Sequence, residues 1–473
     1  MLKKIVLFAF AAFAVFRFAD GYVRPALAGS DRDQEGSPVV RLGERLFRDE
    51  RFSTSKGDLP ASCSHCHLLD EDPQGLRAYS DFFNRSWMSS RTQDHRRLML
   101  RNSPTILDAG QTPRLHYDGE FASLEELVKG TLAGRPMGWL PGEEAQAFEH
   151  ARRVLLGDKG EGRADEDQEG EGRGGEGRAA EVRAAEGTYR EQFKKAFGVD
   201  LERLSPDETM NLVARAVANY CRTLNTRKDS GYDRFIAANS LESGPAAGED
   251  IEAFTRKLLS KIDSLERARA LKLSKDFDST ALRGLKIFFR AESGNCAACH
   301  TPPLFTDHSF HNIGISQREY DRFHGEGKFA NLAIPDSAKA IRPATQFRET
   351  PTRANPALVD LGFWNFVDLK TSPQRRAGES DDRFLQRMIA AFKTPTLRNL
   401  SYTQPYFHDG SLHTLEDVLT EMIALSEMAR AGRLREADEE MAKIKITASD
   451  IGPLVAFLNS LNEDLKKLQN RKR

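Results

Sequence analysis

Cys63-Ser64-His65-Cys66-His67 and Cys296-Ala297-Ala298-Cys299-His300 are two copies of one pattern, Cys-x-x-Cys-His, set far apart in a chain of 473 residues. The order of residue types has a chemical logic. Two thiols at this spacing can add to the two vinyl groups of one porphyrin, and the histidine that follows then lies beneath the iron and binds it through an imidazole nitrogen. A disulfide, or a zinc site completed in the second copy by His308 or His311, is the alternative. Neither explains why histidine follows the second cysteine twice. Two covalently attached c-type haems are therefore expected, on Cys63 with Cys66 and on Cys296 with Cys299, with His67 and His300 as proximal ligands. The remaining cysteine, Cys221, stands in a helical pattern and reads as a buried thiol acting as a small hydrophobe.

The N-terminus agrees with c-type haem chemistry, which belongs outside the cytoplasm. Lys3 and Lys4 precede an apolar run from Ile5 to Phe16, and Ala26-Leu27-Ala28 offers a small-x-small cleavage site. Residues 1–28 read as a signal peptide cleaved after Ala28, with an uncleaved anchor as the other reading. A periplasmic location is expected either way. Hydrophobic residues make up 39%, charged residues 29% and the formal net charge is -1. Those values fit a water-soluble body and give no reason to expect a nucleic-acid partner.

The halves around the two motifs match in register. Ser103-Pro104-Thr105, Asp118-Gly119 and Ser123-Leu124-Glu125-Glu126-Leu127-Val128 correspond to Thr394-Pro395-Thr396, Asp409-Gly410 and Thr414-Leu415-Glu416-Asp417-Val418-Leu419, every pair offset by 291 positions. An internal repeat of two haem domains follows, each with a Pro-Thr loop, an Asp-Gly turn and a helix opened by Ser123 or Thr414. Ser123 with Glu126 has the form of a capping box. Tyr117 falls opposite His408.

Helical periodicity dominates, at Glu143 to Leu156, Tyr189 to Phe197, Met210 to Leu224 and Ile251 to Leu273, and alternating strand patterns are scarce. The fold class is mainly α, with two cytochrome-c-like haem domains. The expected division is a first haem domain at 29–225, a helical connection at 226–279, a second haem domain at 280–462 and a basic tail at 463–473. Residues 157–187 are low-complexity, rich in Gly-Glu-Gly-Arg repeats, and cannot bury enough surface to fold. The Gly/Pro-punctuated stretch from Phe323 to Pro356 is extra material in the second half, suited to a lid or contact surface.

Leu100-Arg101-Asn102-Ser103-Pro104-Thr105, Tyr117-Asp118-Gly119, Pro303-Leu304-Phe305-Thr306-Asp307, Phe310-His311-Asn312-Ile313-Gly314, Phe392-Lys393-Thr394-Pro395-Thr396-Leu397-Arg398-Asn399 and Phe407-His408-Asp409-Gly410 carry a resemblance. From about Arg41 to Leu461, outside the low-complexity stretch, the chain resembles the bacterial di-haem cytochrome c peroxidases, a group that includes enzymes similar to MauG. The resemblance implies an enzyme in which the C-terminal haem takes electrons from a small donor protein, a cytochrome c or a cupredoxin. It relays them to the N-terminal haem, where hydrogen peroxide becomes water. It also implies calcium between the domains and a homodimer.

The resemblance assigns roles residue by residue. Met422, fourteen after His408, falls where the peroxidases place the sixth ligand of the C-terminal haem and the MauG-like enzymes a tyrosine. Met428 is the fallback, and helix core is the plainer reading of Met422. His95, six before Arg101, stands near the removable ligand of the N-terminal haem, with Met88, Met99 or an open iron as alternatives. Arg101 is assigned to a haem propionate. His408 resembles the family histidine near the second haem. Asn102, Thr403 and Pro405 match positions whose oxygens bind calcium, and otherwise read as turn residues.

The resemblance also has gaps. A tryptophan between the haems is here Tyr117, expected to assist electron transfer. The family glutamine ten residues on is Leu127, and the glutamate about twenty on falls at Pro136-Met137. Cleaving an O–O bond benefits from a group that takes a proton from one oxygen and gives it to the other. Glu120, Glu125 and Arg135 are the polar residues close enough in sequence to serve. With the usual pair out of register, a non-enzymatic di-haem electron carrier or redox sensor stands as the alternative to a peroxidase.

Overall fold

The computed structural model describes residues 36–54, 62–67, 101–160, 187–335, 337–349, 351 and 355–464. It is mainly helical, as expected. Among the described residues the one sheet is a two-residue antiparallel pair, Phe310–His311 against Phe392–Lys393. The signal peptide, the body of the low-complexity stretch (161–186) and the tail from 465 lie outside the described residues. No described helix is long and apolar enough to cross a membrane.

Each half is built on one close helix crossing. In the first, helix Pro38–Phe47 lies across helix Pro206–Thr223. In the second, helix Ser279–Phe289 lies across helix Ala448–Asn459. A glycine sits at each contact. A Cβ on Gly43 would run into the carbonyl of Ala216, and one on Gly284 into the carbonyl of Pro453. The missing side chain lets the backbones touch and the flanking apolar residues interlock. Leu42, Leu46, Phe47, Val213, Val217 and Tyr220 fill the first core, and Leu285, Phe288, Phe289, Leu454 and Phe457 the second.

Helix Pro206–Thr223 starts a turn earlier than its apolar periodicity indicates. Ser205 and Glu208 form a reciprocal capping box and Pro206 takes the first helical position. The capping box expected at Ser123 is half made: Ser123 accepts from the Glu126 N–H, but the Glu126 carboxylate takes the N–H of Ala122. The charged helix expected at 251–273 ends at Arg267. Its Phe254, Leu258 and Ile262 are buried in the second core, so it packs as part of that unit. Asp158 and Gly187, at the roots of the low-complexity stretch, are anchored to the first core. Asp158 pairs with Arg45 and Arg51, and Gly187 accepts from Arg45.

The second half's extra material forms a third core. Phe329, Phe347, Val359, Leu361, Trp364 and Phe384 are buried together, with Phe310 stacked on Phe363 at 3.7 Å. This body leans on the first half's Asp-Gly turn. A Cβ on Gly119, whose φ is 69°, would strike the Phe310 and Phe363 rings. Arg348 meets Glu120 at 2.9 Å, Glu349 lies 3.6 Å from Arg135, and Asp360 holds Arg101 at 2.7 Å. The stretch read as a lid or contact surface is thus a packed wedge between the halves.

Local geometry repeats at the 291-residue offset. His116 and Phe407 have φ of 63° and 65°, and Asp108 and Asn399 of 58° and 62°. Leu115 bridges Phe121 as Tyr406 bridges Leu412. Helix Leu124–Leu132 is capped by Ser123 and helix Leu415–Arg430 by Thr414.

Candidate functional site: two Cys-x-x-Cys-His motifs and the wall between them

Each motif is a single tight turn. The N–H of His67 bonds to the carbonyl of Cys63, and that of His300 to the carbonyl of Cys296, both at 2.9 Å. This brings the histidine round beside its cysteines. All five cysteines are free thiols, so neither motif is spent on a disulfide. Burial pushes the Cys296 thiol up to about 12, and burial likewise raises Cys63 and Cys299.

A cavity of about 290 Å³ opens over the second motif. Cys296, Cys299 and His300 line it, opposite Met422 from helix Leu415–Arg430. His300 Nδ1 bonds to the carbonyl of Phe305 at 3.0 Å, so the ring keeps its proton there and leaves Nε2 for a metal. Burial also holds His300 below the ordinary imidazole range, as a neutral donor. Two free thiols, a tautomer fixed for Nε2 and a thioether across an apolar cavity are a donor set that fits a c-type haem. Met428 is not among the lining residues; Met441 is, and is buried.

The first motif has matching features. Burial, with a smaller contribution from His116, presses His67 down to about 4, again a neutral ligand. Its Nδ1 is buried without a hydrogen-bond partner among the described residues. His95, Met88 and Met99, the alternatives for this site's sixth ligand, lie outside the described residues.

The wall between the motifs gathers most of the other expected residues. Tyr117 and His408 face one another with ring centroids 6.5 Å apart, and both line the cavity. Phe392 stacks on His408 at 3.5 Å. Burial brings His408 to about 4, and its Nε2 has no partner among the described residues. Burial also pushes the Tyr117 phenol above its ordinary range. Arg101, assigned to a propionate, directs its guanidinium at two buried carboxylates, Asp118 at 2.5 Å and Asp360 at 2.7 Å. Asn102, Thr403 and Pro405 come together on the cavity wall, where the Asn102 side-chain amide donates to the Pro405 carbonyl at 2.5 Å.

The structure separates the three polar substitutes. Glu125 is held bidentately by Arg222 at 2.7 and 2.8 Å. Arg135 lies against Glu349. Glu120 lies 3.4 Å from Nδ1 of His116 and pairs with Arg348. Leu127 packs against the first core and Met137 is buried within it, so both out-of-register positions are apolar packing. His116, Asp118 and Glu120 cluster closely enough to suggest a metal, but Arg101 and Arg348 already neutralise the two carboxylates.

Sequence reasoning passed over two residues here. His116 is one, and Thr131 is the other. The 291-residue register already pairs His116 with Phe407, and carried one helix turn past Val128 it pairs Thr131 with Met422.

Comparison with known proteins agrees with this construction. A family model described as di-haem cytochrome c peroxidase matches residues 37–240. A methylamine utilization protein MauG from Methylophilus methylotrophus is 23% identical, over 90% of this chain and 83% of its own. A cytochrome c551 peroxidase from Nitrosomonas europaea is 23% identical, over 91% and 81%. The crystal structure of the diheme peroxidase BthA from Burkholderia thailandensis superposes with a TM-score of 0.51 at 19% identity, covering 90% of this chain and 86% of that one, which supports the shared fold. With two Cys-x-x-Cys-His turns on two glycine-locked helix crossings, the chain is similar to the di-haem cytochrome c peroxidases and MauG, the family model covering much of its first half and these relatives nearly its whole length.

Proposed function

We propose that the protein is an exported peroxidase of two repeated haem domains. It reduces hydrogen peroxide to water at the first site, with electrons from a small donor protein entering through the second. The observation that carries this is the unequal filling of one position. The second site offers Met422 to its metal, and the corresponding residue of the first is Thr131, which is no strong iron ligand. A methionine-ligated c haem has a raised potential and suits electron storage, and a haem with an exchangeable position suits peroxide.

This chain's residues then have distinct tasks. His67 and His300 bind, Met422 completes the second site, and His95 is the removable ligand of the first. Tyr117, between His408 and the first half, assists electron passage. Arg101 locks the wall by holding Asp118 and Asp360. Asn102, Thr403 and Pro405 are the proposed calcium ligands. The Asn102 amide needs only to turn over for Oδ1, with the Pro405 carbonyl, to present two oxygens to the ion. Cleavage after Ala28, a periplasmic location and a homodimer complete the reading.

The apolar character of Leu127 and Met137 favours a second reading, a di-haem electron carrier or redox sensor. Steady-state peroxide reduction separates the two. The haem-loaded protein, half-reduced and with calcium, is given a reduced small cytochrome. Rapid turnover that disappears in Cys63→Ala supports the peroxidase; no turnover above free haem, with two intact reversible potentials, sinks it.

A further inference from the structure

We infer that the basic surface formed by helix Ile251–Arg267 and the turn after it is where the electron donor docks, and that the donor presents an acidic face to it. The inference rests on the reading proposed above, in which electrons enter through the second site. It adds the surface and the charge of the partner.

Three observations carry it. The first is charge left without a partner. Residues 256–275 hold seven basic and two acidic residues, in a chain whose formal net charge is -1. The two acids do not neutralise this run, because Asp263 and Glu266 both pair with Lys286. Arg267, Arg269, Lys272 and Lys275 are exposed and meet no carboxylate among the described residues. Exposed arginines elsewhere on this half are neutralised, Arg376 by Glu439, Arg383 by Glu436 and Arg433 by Glu326. A charged face that merely keeps a helix in water would be laced in the same way.

The second is an apolar centre. Leu273, 44% exposed, stands between Lys272 and Lys275 and is one of three large apolar side chains exposed among the described residues. Protein interfaces set apolar contact inside a polar rim, and one leucine is too little apolar surface to hold a protein on a bilayer. The turn is also held ready. Buried Asn239 accepts from the Lys272 N–H at 2.8 Å and donates to the Lys272 carbonyl at 2.9 Å. Ser274 bridges Phe277, whose ring stacks on Phe235 at 4.1 Å. A turn fixed in this way gives up little freedom when a partner arrives.

The third is position. Helix Ile251–Arg267 packs against the turn Cys296–Ala298 of the second motif. Lys286, which holds Asp263 and Glu266, adjoins Ile287, whose carbonyl accepts from the N–H of Gly294, two residues before Cys296, at 3.0 Å. The basic face of the helix is therefore separated from the second motif by the helix itself, about 10 Å thick. A partner seated there delivers one electron. The reduced donor is oxidised, the second site is reduced, and no proton moves.

The test follows electron entry alone, with no peroxide present. The oxidised protein, calcium-loaded and with both haems attached, is mixed in stopped flow with a reduced acidic c-type cytochrome or a reduced basic one, at low and at high salt. The acidic cytochrome should reduce the second site faster, and salt should slow it. The joint variant Arg267→Gln/Arg269→Gln/Lys272→Gln/Lys275→Gln should slow that reaction about 100-fold at low salt and remove most of its salt dependence. Leu273→Ser should slow it about tenfold at either salt. Arg383→Gln should leave it unchanged, and hydroquinone, a small neutral reductant, should reduce every variant at the wild-type rate. An unchanged rate in the joint variant overturns the inference, as does a faster basic cytochrome or no reduction by either. Binding to phosphatidylglycerol vesicles that the joint variant loses, with its electron entry intact, overturns it in favour of a membrane surface. Electron entry that depends on these four cations, in a protein with no peroxide turnover, supports the docking surface and overturns the peroxidase reading instead.

Discussion

Helix Leu124–Leu132 and helix Leu415–Arg430 begin on the same plan, each capped by a hydroxyl and preceded by a bridged Asp-Gly turn. The first stops after nine residues, with Gly134 and Pro136 just beyond it. The second runs for sixteen and carries Met422 to the cavity and Leu425 into the core. What differs is the length of the helix and the side chain it brings to the corresponding position, threonine in one half and methionine in the other. On the reading proposed above, two sites with the same attachment motif are given different work by a change that leaves the capped start of the helix alone.

The largest break in the comparison comes from the proximal ligands. His67→Ala and His300→Ala should each abolish proper ligation of one haem and spare the other, read as loss of one of two spectral centres. Two unchanged centres in both variants would remove the assignment. Next comes the exchange of the differing residue. Met422→Ala should erase the methionine-to-iron absorption near the red edge and lower one potential, and Thr131→Met should drive the first site toward the second's spectrum. If both potentials hold in Met422→Ala, Met422 is merely packing.

The wedge between the halves offers a third test. Arg101→Ala strands Asp118 and Asp360, both fully buried, and should destabilise the fold by about 3–5 kcal/mol in chemical denaturation. The pH dependence has a definite sign. Burial raises the Asp360 carboxyl, but Arg101 and its hydrogen bonds win and hold it below the ordinary carboxylate range. Its contribution is therefore complete above the unfolded value of about 3.9 and is lost as the pH falls through the folded one. The stability gap between wild type and Asp360→Asn should narrow below about pH 4; a gap constant to lower pH would deny the pair its role. The smallest effect is expected at the crossings. Gly284→Ala forces a methyl against the carbonyl of Pro453 and should cost about 1–3 kcal/mol, with Gly43→Ala costing a similar amount in the other half.

Much of this architecture was legible in local chemistry. The haem-attachment turns, the helical class and the capped helices at Ser123 and Thr414 follow from short-range patterns, and the 291-residue register follows from comparing them. The start of helix Pro206–Thr223 was missed because its capping signal, Ser205 with Glu208, lies in polar sequence ahead of the apolar periodicity. The wedge was legible as a contact surface but not as a packed core, for a different reason. Phe329, Phe347 and Trp364 are spread through Gly- and Pro-rich sequence with no helical or strand period, and only tertiary packing brings them together. Arg101 shows the same limit, since Asp360 is its partner from a distant part of the chain.

The origin of those partners has a consequence for how the molecule is made. Arg348, Glu349 and Asp360 are synthesised long after Glu120, Arg135 and Arg101, which they hold. Domains of an emerging chain fold from the N-terminus onward, yet Arg101, Glu120 and Arg135 of the first half cannot find these partners until the second has been delivered and has docked. On the reading proposed above, a truncated or partly exported chain has no completed peroxide site. The enzyme becomes competent only when the half that supplies its electrons is already in place.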